Sequence, residues 1–97
     1  MPGGTNMTAR ETVEIVNVRG LHARASAKFV NAVAKLPAGL EVTVSKDGTD
    51  AAGGSILGLM MLGAAKGDSI EIAVSGEDAE TALLKLVGLV VDGFGED

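Results

Sequence analysis

The chain has no cysteine, no tryptophan and no tyrosine, two prolines and one histidine. Each shortage removes a class of chemistry. Without thiols there is no disulfide stapling, no thiolate catalysis and no cysteine-held metal. Zinc takes three or four strong ligands, so a single histidine makes a metal cofactor a poor prospect, and no cofactor is expected. Phe29 and Phe94 are the only aromatics, which leaves valine, leucine, isoleucine, alanine and methionine to build the core. The opening MPGGTNMTAR shows neither a basic start nor a hydrophobic stretch of the secretory kind. No apolar run is long enough to cross a bilayer as a helix. Neither a P-loop, G-x-x-x-x-G-K-[ST], nor a nucleophile–base constellation is present, which argues against a kinase or hydrolase. These absences predict a cytoplasmic protein without membrane insertion.

What remains is apolar and glycine-rich. With 97 residues, 46% of them hydrophobic, the chain suits one domain and is poorly suited to disorder. The 14 glycines imply tight turns. The net charge of -5 is unevenly spread. Residues 1–35 hold Arg10, Arg19, Arg24, Lys28 and Lys35 against Glu11 and Glu14, whereas the remainder is strongly acidic. The overall balance disfavours nucleic acid as a partner. A small anion near the histidine, in the basic third, is compatible with it.

The hydrophobic pattern changes period along the chain. Residues 1–9 read as a flexible leader. ETVEIVNV, residues 11–18, alternates as a strand with Val13, Ile15 and Asn17 on one face. From Ala23 the spacing is helical, with Ala25, Phe29, Ala32, Val33 and Leu36 on one side and Arg24, Lys28, Asn31 and Lys35 on the other. Pro37 and Gly39 end that helix. Residues 40–45 form a second strand, Asp47-Gly48 a turn and residues 49–52 the return arm of a hairpin. Ser55 caps a short helix, ILGLMML, closed by Gly63. SIEIAVS is a fourth strand, and AETALLKLVGLVVDGFG a long last helix that stops at Gly93 or Gly95. Its buried stripe is Ala79, Ala82, Leu83, Leu86 and Val90. Leu84, Val87, Leu89 and Val91 fall outside it, fit for deeper seating or self-association. The order βαββαβα predicts an α+β fold, a four-stranded, mainly antiparallel sheet with three helices on one face and the other face wet.

The chemistry concentrates in GLHARAS, residues 20–26. His22 stands at the entrance of the first helix and Arg24 in its first turn. The first N–H groups of a helix lack intrahelical acceptors and lie at the positive end of its dipole, so a phosphate is stabilised there. An imidazole can attack a phosphoryl group. Its N-phosphate would then meet the amides of Ala23 and Arg24 and the guanidinium fork of Arg24, which fits a dianion well. Position alone, however, favours a surface cap with an incidental ring.

The segment resembles the HPr family, the histidine-containing phosphocarriers of the bacterial phosphoenolpyruvate-dependent phosphotransferase system, which carry Gly-Leu-His-x-Arg-Pro-Ala at their first helix. Gly20, Leu21, His22 and Arg24 match; Ala25 stands for the usual proline and Ser26 for the usual alanine. Ser55-Ile56-Leu57-Gly58-Leu59-Met60 resembles the family's regulatory serine segment, and the likeness spans residues 10–92, leaving 93–97 as a C-terminal tail. The resemblance implies an open-faced β-sandwich in which His22 accepts phosphate on Nδ1 from enzyme I and passes it to an enzyme IIA component, with Arg24 as phosphate partner. It further implies that Ser55 is a target of an HPr kinase/phosphorylase. ILGLMML and the extended GLVVDGFGED end resemble those of alphaproteobacterial members of the regulatory or nitrogen-linked type; sugar uptake is the familiar alternative. Ile56, Leu57, Met60 and Met61 are expected to form an apolar docking patch, where soft methionines adapt to differently shaped partners. The competing reading is a non-catalytic regulatory binding module with the same fold.

Overall fold

Period-2 and period-3.6 segments fold as their patterns dictate. The computed structural model describes residues 7–96. The elements run β1 (Thr8–Glu14), α1 (Ala23–Ala34), β2 (Glu41–Lys46), β3 (Thr49–Ala52), α2 (Ile56–Met61), β4 (Ser69–Ser75) and α3 (Ala79–Val91), followed by a 3-10 turn at Gly93–Gly95. The sheet order is β1-β4-β2-β3 and every pairing is antiparallel.

One sheet face carries the core. Val13, Val42, Val44, Ile70, Ile72 and Val74 are buried on it, under Phe29 of α1, Leu59 of α2, and Leu86 and Val90 of α3. The opposite face presents Thr12, Thr43, Ser45, Glu71 and Ala73, where Arg10 pairs with Glu71 at 3.3 Å. Polar and small residues on this face let it stand in water while the helices cover the other. This is the predicted open-faced arrangement. Among the described residues, no helix is long and apolar enough to cross a membrane.

The differences from the sequence expectations lie at the ends of elements. β1 begins at Thr8, inside the supposed leader, because Thr8 and Ala9 pair with Ser75 and Val74 of β4. Leader residues 1–6 lie outside the described residues. β1 also stops at Glu14 rather than Val18, although the alternation persists, with Ile15 and Asn17 buried and Val16 and Val18 exposed. Ile15 leaves the strand by exchanging backbone hydrogen bonds with the turn before β4, donating to Asp68 O and accepting from Gly67 N. In α1, Ser26 is buried although it lies outside the expected apolar stripe, and its hydroxyl donates to Leu21 O at 3.2 Å. In α3, Val87 joins the buried stripe and Leu89 is half-buried, while Leu84 and Val91 remain exposed. That helix ends at Val91, and Gly93 adopts φ +66, a left-handed turn that helical backbone cannot continue through.

The segment after α3 is packed against the domain. Phe94 is 1% exposed, and Lys28 Nζ donates to its carbonyl at 2.7 Å. Residues 93–96 therefore lie over the first turns of α1; Asp97 is outside the described residues.

Candidate functional site

The approach to His22 is set by a turn that only glycine fits. Gly20 has φ +62, and a Cβ there would stand 2.3 Å from Ala64 O. That carbonyl accepts the Leu21 N–H at 2.9 Å, tying the entrance of α1 to the segment after α2. Asn17, buried, donates through Nδ2 to Gly20 O at 2.8 Å and braces the turn from the other side.

His22 is the N-cap residue of α1, with extended backbone, and its carbonyl accepts the Ser26 N–H at 2.9 Å. Its side chain makes no capping hydrogen bond. The backbone therefore starts the helix while the imidazole is left to other uses. First-turn amides, those of Ala23 and Arg24 among them, keep the unpaired donors typical of a helix start. Ala23 and Arg24 are exposed. His22 and Arg24 line one shallow hollow of about 350 Å³, together with Val18, Arg19 and Glu96. The structure thus places the histidine and the arginine at one hollow.

Val18, Arg19 and Glu96 were not foreseen there. Glu96 is the most consequential, because its Oε2 lies 2.6 Å from His22 Nε2, and both side chains are largely shielded, at 16% and 20% exposure. Its Oε1 accepts from Asn17 Nδ2 at 3.1 Å. Asn17 Nδ2 thus faces two acceptors, Gly20 O and Glu96 Oε1, which fixes the orientation of the amide. Among the described residues, Asn17 Oδ1 is left buried without a partner. The Glu96 carboxyl is held below its usual range, foremost by the hydrogen bond from His22. Desolvation opposes this, while the hydrogen bond from Asn17 and the electrostatic pull of His22 and Lys28 add to it.

Ser55 is half-buried and caps α2, its Oγ accepting the Gly58 N–H at 3.0 Å. Such a cap contributes about 0.5–2 kcal/mol. Along α2, Leu59 and Leu62 point into the core, whereas Leu57 (68%) and Met61 (76%) are the most exposed of an apolar group that includes Ile56 and Met60. α2 packs against α1, and the segment after it is tied to the helix entrance through the Leu21 N–H and Ala64 O.

Comparison with known proteins agrees with this architecture. The family model described as "PTS HPr component phosphorylation site" matches residues 9–92. The chain is 44% identical over 87 residues to the phosphocarrier protein HPr of Neisseria meningitidis serogroup A, covering 90% of this chain and 96% of that one. It is 40% identical over 92 residues to the phosphocarrier protein NPr of Escherichia coli K12, covering 94% and 100%. The crystal structure of HPr-C-His from Thermoanaerobacter tengcongensis superposes with a TM-score of 0.84 at 37% identity, over 92% of this chain and 98% of that one. Sequence, fold and the histidine at the helix entrance converge: the chain belongs to the HPr family of phosphocarriers of the phosphotransferase system.

Proposed function

We propose that His22 is the residue on which this chain carries the phosphoryl group relayed by its family, with Arg24 and the amides of Ala23 and Arg24 holding the charge. Phosphocarriers form a covalent phosphohistidine and hand it on; they turn over no free substrate. The observation that carries the assignment is the placement of His22. It starts a twelve-residue helix with its backbone while its ring stays out of the cap and shares an open hollow with Arg24. Phosphoryl transfer needs positioning and charge stabilisation more than elaborate covalent machinery, which a domain of this size can provide.

The donor in this reading is enzyme I and the acceptor an enzyme IIA component, both meeting the apolar group Ile56, Leu57, Met60 and Met61 as well as the histidine. Ser55 is the proposed target of an HPr kinase/phosphorylase. Its phosphate would add nearly two negative charges at the edge of that patch and weaken docking of partners matched to the neutral surface. Relatives named HPr and NPr are similarly close, which supports a carrier role in the cytoplasm without choosing between sugar uptake and a nitrogen-linked branch.

The test is intact mass after incubation with phosphoenolpyruvate, magnesium and enzyme I. The wild type is expected to gain about 80 Da, the mass of one phosphoryl group, in an acid-labile form. His22→Ala is expected to gain nothing while remaining folded. Arg24→Ala should take up phosphate more slowly with little loss of stability. A wild type that gains no mass beside an active enzyme I control would favour the non-catalytic binding module instead.

A further inference from the structure

Only one nitrogen of a neutral imidazole carries the lone pair that can attack phosphorus, and a hydrogen bond to the other decides which. Glu96 Oε2 is 2.6 Å from His22 Nε2. An ionised carboxylate can only accept, so the proton resides on Nε2 and the lone pair on Nδ1. Several contacts hold the carboxylate in place. Its other oxygen takes a hydrogen bond from Asn17, Phe94 anchors the preceding turn in the core, and Lys28 Nζ donates to Phe94 O. Phe94 sits at φ +58 between two glycines at φ +66 and +71, an unfavourable conformation for a residue with a Cβ. Backbone held in such a region persists only where its surroundings determine it, and here it aims Glu96 at the ring.

We propose that Glu96 is a positioning residue for phosphoryl transfer, fixing the Nε2–H tautomer, orienting the ring with Nδ1 free, and stabilising the charge the ring acquires. The inference deepens the assignment of His22 as the phosphoryl acceptor and rests on it. In the first step the Nδ1 lone pair forms the N–P bond. The bond from phosphorus to the donor breaks, and its electron pair returns to the donor. The Nε2 proton stays, and the ring becomes cationic opposite the Glu96 carboxylate. In the onward step an acceptor lone pair bonds phosphorus, the N–P electron pair returns to Nδ1, and the ring is neutral again. A carboxylate behind a histidine serves nucleophile and base chemistry elsewhere in the same manner, by holding tautomer and orientation.

The single histidine makes the test clean. With ¹⁵N in the imidazole, the wild type is expected to show a protonated Nε2, an unprotonated Nδ1 and a slowly exchanging, hydrogen-bonded Nε2 proton. Glu96→Ala should lose the protection of that proton, and its initial rate of phosphate uptake from phosphorylated enzyme I should fall about tenfold, as for loss of one charge-assisted hydrogen bond. Glu96→Gln keeps an acceptor oxygen but not the charge. It should retain the ring spectrum and show an intermediate rate. A folded Glu96→Ala protein with wild-type ring spectrum and wild-type rate overturns the inference alone. Equal slowing of both variants with an unchanged ring spectrum also overturns it, because the effect would then be structural. A wild type that takes up no phosphate overturns the acceptor assignment and this inference with it.

Discussion

At the scale of single residues, the site depends on Gly20 as much as on His22. The imidazole is useful only if the chain turns sharply after Asn17 and enters α1 with the ring outward, and that turn runs at φ +62 against Ala64 O. Gly20→Ala combines an unfavourable backbone conformation with a clash against a carbonyl that is itself hydrogen-bonded to Leu21. The variant is expected to lose about 3 kcal/mol of stability, measured by urea denaturation, and to slow phosphate uptake by more than Arg24→Ala does. A variant of wild-type stability would show that the turn can open without cost. The visibility of these residues in the sequence follows their locality. His22, Arg24 and Ser55 lie in short motifs, and each owes its place to the helix that begins beside it. Glu96 meets His22 across 74 positions and Asn17 across 79, and no periodicity links them. The signal available was Asn17 itself, a polar residue on the inward parity of an apolar strand pattern, which implied a partner to be found.

At the scale of elements, the tail after α3 is part of the site although its composition reads as an appendage. Two glycines and an acidic end suggest a loose terminus, yet Phe94 is buried and draws the segment down. The strands and helices were readable because their periods are strong; their ends were not, because pairing partners and turns determine them. Thr8 joins β1 only because Ser75 lies opposite, and α3 stops where Gly93 turns left-handed. The contact between tail and helix entrance has a pH signature. The folded Glu96 carboxyl titrates below 4.5, the value of an unperturbed glutamate. A group so lowered contributes stability that is fully present above the unfolded value and lost as pH falls through the folded one. The stability difference between wild type and Glu96→Gln, from urea midpoints, is therefore expected to shrink as pH falls below about 4.5. A difference that stays undiminished as pH falls through the carboxylate range would contradict the lowered Glu96 carboxyl as its cause.

At the scale of the whole molecule, the sheet leaves one face polar and wet while α2 leaves large apolar side chains exposed. Leu57 and Met61 on α2 are among the most exposed large apolar residues, and Val18, also exposed, lines the hollow that holds His22 and Arg24. A small carrier must be recognised by a donor and then by an acceptor of different shape. An adaptable apolar patch beside a charged centre suits that demand better than a deep pocket. The folded state gains little from these side chains, since Leu59 and Leu62 do the packing. Leu57→Glu with Met61→Glu should consequently leave thermal stability within about 0.5 kcal/mol of the wild type. The same double variant should raise the concentration needed for half-maximal phosphate transfer from enzyme I by about tenfold or more, the loss expected when a buried interface anchor acquires a charge. Unchanged transfer kinetics would remove α2 from the docking surface and leave the helix entrance to make recognition alone. A rise in the half-maximal concentration without a fall in the maximal rate would separate docking from chemistry: α2 for the encounter, His22 and its neighbours for the transfer.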